Sequence, residues 1–142
     1  MIKNHNNYVF VYGTLRKGGM YSSLLHGSEY IGNDLVPRFV MRDLGEYPMI
    51  FESDNPESLI VIEIYKINHH TLQQLDNLEE YIEGDENSLY LRKTVSAVSG
   101  RKGYIYYGKD ERKYLSYDII PGGDWIKRNF KTGVIDEPGT CN

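Results

Sequence analysis

Tyr8-Val9-Phe10-Val11-Tyr12-Gly13-Thr14-Leu15-Arg16-Lys17-Gly18-Gly19 is the stretch from which the rest of this chain is best read. Its first five residues are all β-branched or aromatic, the types that fill a pleated, buried surface, and they predict a strand. Gly13 ends the run. Glycines admit backbone conformations closed to other residues, and a strand end followed by free main-chain N–H groups has the ingredients of an anion cradle. Arg16 adds a forked donor suited to a carboxylate. The glycine spacing and Lys-Ser/Thr ending of a nucleotide phosphate loop are absent, and on local grounds an ordinary turn accounts for the segment equally well.

Working outward, residues 20–26 between Gly19 and Gly27 predict a short helix, and 35–44, with Pro37 near the start, an edge or bent strand. Gly45-Glu46-Tyr47-Pro48 reads as a turn, 49–51 as a short apolar strand and Asp54-Asn55-Pro56 as a loop. Residues 59–65 (Leu-Ile-Val-Ile-Glu-Ile-Tyr) give the strongest strand signal. Glu63 is its one charge. Alternation puts it with Val61 and Tyr65, opposite Ile60, Ile62 and Ile64, which predicts a solvated or pocket-rim carboxylate. Asn68 is placed to cap a helix over 69–79 or 80, with 81–87 as a solvated acidic loop. Strands over 90–98 and 104–107 flank a glycine-bearing turn and predict a hairpin, and 121–124 is a plain turn. Residues 1–7 and about 134–142 read as loose tails. One clear helix among several strands, without regular crossover helices, indicates a single α+β domain over 1–142 rather than a doubly wound nucleotide-binding sheet.

Composition narrows the function classes. Sixteen basic and twenty acidic residues give a net charge of -4, so no global field draws a nucleic-acid backbone. No apolar run approaches the ~20 residues of a membrane helix, and residues 1–7 lack the pattern of a signal peptide, so a soluble, cytoplasmic protein is expected. Cys141 is the only cysteine, and His5, His26, His69 and His70 form no three-ligand pattern. Neither a metal nor another cofactor is expected. No Gly-x-Ser-x-Gly elbow is present to mark a serine nucleophile. Thirteen tyrosines against one tryptophan point to polar-lined pockets or aromatic strand faces.

One carboxylate stands in the wrong place for a solvated helix. With Leu72 at zero on a helical wheel, Leu75 falls near ~300° and Glu79 near ~340°, inside the leucine arc, whereas Asp76 and Glu80 fall near ~40° and ~80°. A carboxylate turned toward an apolar interior must be hydrogen-bonded, paired or partly protonated, which makes it a workable general base near neutral pH. The alternative is a helix that ends at Leu78, with Glu79 opening the acidic loop.

Residues 9–18 and Leu75-Asp76-Asn77-Leu78-Glu79, followed by Tyr90-Leu91-Arg92, together resemble the γ-glutamyl cyclotransferase-like family, whose members include a γ-glutamylamine cyclotransferase and a butirosin-pathway cyclotransferase. Gly45-Glu46-Tyr47-Pro48, Glu63-Ile64-Tyr65, Tyr104-Ile105-Tyr106 and Gly123-Asp124-Trp125 are weaker echoes in family order. The resemblance implies a mixed β-barrel with flanking helices. It implies cyclisation of a small-molecule γ-glutamyl amine or peptide to 5-oxoproline, with Glu79 as base and acid. It places Tyr12, Gly13, Thr14, Leu15, Arg16 and Tyr90 around the substrate, with Glu63, Arg92 and Tyr106 in support. With no cofactor and no nucleic-acid or membrane partner expected from the composition, the expected partner is the small-molecule substrate, and oligomeric state is left open. A binding protein with the same cavity, or a hydrolase of a related amide, are the competing readings. Two positions depart from the family pattern: Ile62 and Glu80 stand where glycines are usual. Ile62 narrows a close backbone approach, and Glu80 adds charge beside the reacting carboxylate.

Overall fold

The computed structural model describes residues 7–81 and 88–128; the expected tails apart from Asn7, most of the acidic loop, and Cys141 lie outside the described residues. Seven strands are formed: β1 (Asn7–Val11), β2 (Glu29–Pro37), β3 (Phe39–Asp43), β4 (Pro48–Glu52), β5 (Leu59–Ile67), β6 (Tyr90–Ser96) and β7 (Lys102–Gly108). One α-helix, α1 (His69–Leu78), follows β5, and no helix among the described residues is long and apolar enough to cross a membrane.

The fold is mixed α+β. A five-stranded sheet runs in the order β2-β5-β1-β7-β6, with β1 at its centre, antiparallel to β5 and parallel to β7 at Val9 and Tyr104. β6 and β7 form the expected antiparallel hairpin. The strand ladders do not close into a ring among the described residues, yet the sheet curls far enough that Val98 N–H donates to Leu35 O of the opposite edge at 2.8 Å.

Two sequence expectations need correction. The bent strand over 35–44 is two strands in two sheets, because Arg38 adopts φ 68° and breaks the run between Pro37 and Phe39. A left-handed arginine is uncommon; here its N–H donates to Ser58 O and its carbonyl accepts from Ser53 N–H, which holds the corner. β3 then pairs with β4 as a separate two-stranded ribbon. The helix expected over 20–26 shrinks to a single 3-10 turn at Ser22–Leu25.

Alternation along the strands divides the core. Phe10, Ile62, Ile64 and Ile105 pack on one face of the sheet with Val36 and Trp125. Val9, Val11, Tyr65 and Ile67 pack on the other with Leu72 and Leu75 of α1. Ile62 is fully buried in the first face. Burial of Leu72 and Leu75, each worth roughly 1.5–3 kcal/mol, clamps α1 to the sheet. Its start is fixed as the sequence predicts, since Asn68 Oδ1 accepts from Thr71 N–H at 2.8 Å. The clamp brings the C-terminal end of α1 beside the loop that follows β1.

Candidate active site

The loop after β1 is folded on itself. Arg16 N–H donates to Gly13 O at 2.9 Å, Gly19 N–H to Arg16 O at 2.7 Å and Tyr21 N–H to Thr14 O at 2.9 Å. The N–H groups of Gly13, Thr14 and Leu15 have no hydrogen-bond partner among the described residues. Gly13 is required by crowding: a Cβ there would lie 2.6 Å from Pro48 Cγ, so only glycine lets the loop abut the start of β4.

Buried charge pins the loop from the side away from α1. Arg16, 4% exposed, binds Glu63 Oε2 through Nε at 3.0 Å and Asp124 Oδ1 through Nη1 at 2.9 Å. Glu63 also accepts from Lys17 N–H at 2.8 Å and Tyr65 O–H at 3.0 Å. Sequence alternation assigned Glu63 to the correct strand face, but that face is not solvated: Arg16 and the loop cover it, and Glu63 is 4% exposed. Arg16 points into this cluster and does not line the cavity described below. Its forked donor is spent on the protein's own carboxylates.

On the other side, α1 ends at Leu78, as the alternative reading had it and one or two residues before the end at 79 or 80, with Glu79 as its cap. Tyr81 N–H donates to Asp76 O at 2.8 Å and Glu80 N–H to Asn77 O at 3.2 Å, the paired bonds of a Schellman turn, and Glu80 takes φ 53°. That left-handed site costs an L-residue about 1 kcal/mol, so Glu80→Gly should stabilise the protein by about that amount, read as a higher urea midpoint at unchanged slope. A lower midpoint would mean that the Glu80 side chain makes up for the strain.

Below the turn, Asp76 accepts from Arg92 Nη1 at 2.6 Å and from Tyr106 O–H at 2.6 Å, while Tyr106 O accepts from Tyr12 O–H at 2.6 Å. This chain of contacts ties the helix end to β6, β7 and the mouth of the loop. Arg92 therefore supports the site through Asp76, flanked by the rings of Tyr81 and Tyr104.

Between loop and helix end lies a cavity of about 320 Å³. Tyr12, Gly13, Thr14 and Leu15 line it together with Glu79, Tyr90 and Tyr106. The Glu79 carboxylate is half-buried and has no hydrogen-bond or ion-pair partner among the described residues. Burial pushes its pKa up to about 7, and a helix C-terminus disfavours the anion in the same direction. Burial also raises Tyr12 and Tyr90, with the Glu79 charge adding to both, so each stays a neutral phenol. A second hollow of about 490 Å³ opens behind the loop, beside Arg16, Lys17, Trp125 and Arg128, but Glu79 does not reach it. The reactive features meet in the first cavity: a carboxylate whose pKa burial raises to about 7 lines the same space as three residues whose main-chain N–H groups have no partner among the described residues.

Sequence reasoning did not find Asp76, which the wheel turns off the leucine face, or Asp124, which reads as part of a turn. Tyr47 and Pro48, read as a turn and as part of a weak family echo but not as site residues, prove to line the cavity. No periodic signal marks any of these positions. Among the described residues, no group of three or more His, Cys, Asp or Glu is gathered as for a metal ion.

Comparison with known proteins gives a consistent picture. The family model described as gamma-glutamyl cyclotransferase, AIG2-like, matches residues 9–127. A Vibrio cholerae protein carrying a provisional gamma-glutamylcyclotransferase name is 34% identical over 121 residues, covering 84% of this chain and 96% of that protein. YtfP of Escherichia coli K12, named a gamma-glutamylcyclotransferase family protein, is 26% identical over 121 residues, covering 85% and 97%. A mouse AIG2-like crystal structure superposes with a TM-score of 0.69 at 19% identity, covering 94% and 97%, a likeness of fold.

Proposed function

Because the chain belongs to the AIG2-like γ-glutamyl cyclotransferase family, we propose that it cyclises a γ-glutamyl amine or peptide to 5-oxoproline, with Glu79 as general base and then general acid. The observation that carries this reading is a single cavity lined both by the Glu79 carboxylate and by Gly13, Thr14 and Leu15, whose N–H groups, like that carboxylate, have no hydrogen-bond partner among the described residues.

The chemistry is an intramolecular aminolysis. Ionised Glu79 takes a proton from the substrate's α-ammonium, and the freed amine attacks the γ-carbonyl carbon of the same molecule. The new C–N bond closes the five-membered ring. As the tetrahedral centre collapses, the bond to the leaving nitrogen breaks, Glu79 returns the proton to that nitrogen, and the second proton of the attacking nitrogen follows by the same route, so that the ring nitrogen ends as a neutral amide N–H and the amine departs as an ammonium. Water is not a reactant. The loop N–H groups anchor the glutamyl end and stabilise the developing oxyanion, as preorganised donors do in a cavity shielded from water. Holding amine and carbonyl together supplies much of the advantage of a ring closure. Tyr12 and Tyr90 form the wall, Tyr12 with its hydroxyl committed to Tyr106 O. Tyr106 and Arg92 act through Asp76, and Glu63 acts by holding Arg16 and Lys17.

A pH profile follows from the position of Glu79. The base form is required and its folded pKa is about 7, so kcat/KM should rise with pH and reach half its plateau near pH 7. A profile already flat from pH 5 upward would mean that the working base has an ordinary carboxylate pKa. The function itself is tested by a panel of γ-glutamyl amines and peptides read for 5-oxoproline. Glutamate as product would assign hydrolysis, and binding without any product would assign a ligand-binding role.

A further inference from the structure

The cavity mouth has a chemical character of its own. Glu46 and Glu80 both line it and are both exposed, and among the described residues that line it there is no lysine, arginine or histidine. Around these two carboxylates the rim is apolar and aromatic: Met20, Tyr21, Tyr47 and Leu89 are 41–68% exposed there, Tyr21 the least and Met20 the most. The nearest cations of the loop are turned elsewhere. Arg16 is spent on Glu63 and Asp124, and Lys17 sits over the Tyr30 ring at 4.2 Å.

The substrate must fit this distribution end by end. Its glutamyl end carries one carboxylate, for which the cavity offers the unspent N–H groups of Gly13, Thr14 and Leu15. Its leaving group projects toward the mouth. A second carboxylate there, as in a γ-glutamyl amino acid or peptide, would meet Glu46 and Glu80 with no cation among the described lining residues to receive it, and like charges repel. A terminal ammonium would meet two carboxylates and two aromatic faces, while methylenes would lie on Met20 and Leu89.

Resting on the cyclotransferase reading above, we infer that the preferred leaving group is a diamine, an apolar chain ending in an ammonium, and that Glu46 and Glu80 are the residues that select it over carboxylate-bearing leaving groups. Glu80 is held on the rim in a strained backbone position, at φ 53°.

The test uses three γ-glutamyl amides of matched length, made from 1,4-diaminobutane, n-butylamine and 4-aminobutyrate, which differ in a terminal ammonium, methyl or carboxylate. The full-length protein should release 5-oxoproline with kcat/KM in the order ammonium, methyl, carboxylate, spanning about tenfold or more from first to last, as two rim charges at low ionic strength suggest. The span should shrink with added salt, and the ammonium-to-carboxylate ratio should collapse toward one in the E46Q/E80Q double variant, through KM more than kcat. An equal or reversed order, or an order that E46Q/E80Q leaves unchanged, would overturn this inference while leaving cyclisation standing. No 5-oxoproline from any of the three would overturn the cyclotransferase reading, and this inference with it. The glutamines keep the shape of the rim, so a misfolded variant, visible as lost far-ultraviolet circular dichroism, is separable from a change in selectivity; E46Q alone then serves as the single-charge test.

Discussion

Glu79→Gln should leave the protein folded and lower 5-oxoproline release by ~10²–10⁴-fold, the usual contribution of a positioned acid–base residue. The same substitution should raise stability. Burial raises the folded pKa of Glu79 to about 7 from the 4.5 of an unperturbed glutamate, so the folded state holds its proton more tightly than the unfolded chain. Below pH ~4.5 both states are protonated and the residue costs nothing. Between there and pH ~7 the unfolded chain ionises first, so stability falls as pH rises, and above ~7 the loss is constant. At about 1.4 kcal/mol per unit the loss is at most about 3 kcal/mol, less where solvent reaches the half-buried carboxylate. Glutamine removes it. Activity lost together with stability gained at neutral pH is a signature that a merely structural glutamate would not give. A Glu79→Gln protein that is less stable at pH 8 than at pH 5, relative to the parent, would contradict the buried position.

Glu63→Ala should be the most damaging single change in the site's support. It removes the acceptor for Arg16 Nε, Lys17 N–H and Tyr65 O–H at once, leaving a 4%-exposed arginine with Asp124 alone. Breaking a buried ion pair from one side typically costs about 3–5 kcal/mol, because the remaining charge stays desolvated. For a domain of this size that lowers Tm by roughly 10 °C. The loop that presents Gly13, Thr14 and Leu15 is fastened by the same bonds, so substrate KM should rise as well. Thermal denaturation and steady-state kinetics check both halves. A Tm within about 2 °C of the parent would mean that water replaces Glu63 without difficulty, and that the cluster is not what holds the loop.

The parts of this molecule that were legible in the sequence are those with a periodic or punctuating signal. β1 and its glycine-ended loop, β5, the Asn68 cap and the β6–β7 hairpin all follow from strand-forming runs, turn chemistry and capping. The wheel placed Glu79 on the buried side even though α1 stops at Leu78, because a cap residue continues the helical path closely enough to keep its direction. What stayed hidden depends on contacts far apart in the chain. Alternation gave the face of Glu63 but not its cover, which comes from a loop 47 residues away. Asp124 looks like a turn residue until Arg16, 108 positions earlier, is brought to it. Asp76 faces off the leucine stripe and becomes important only when Arg92 and Tyr106 arrive from the hairpin. The break at Arg38 had no signal beyond a neighbouring proline, since arginine is not a residue expected at positive φ.

In the proposed reaction the substrate's own amine, and not water, opens the γ-amide beside Glu79. Turnover of γ-glutamyl amides in ¹⁸O-labelled water, with the products identified by mass spectrometry, tests it most directly. Unlabelled 5-oxoproline, absent when Glu79→Gln replaces the parent protein, is the result expected. Glutamate carrying one ¹⁸O would contradict it.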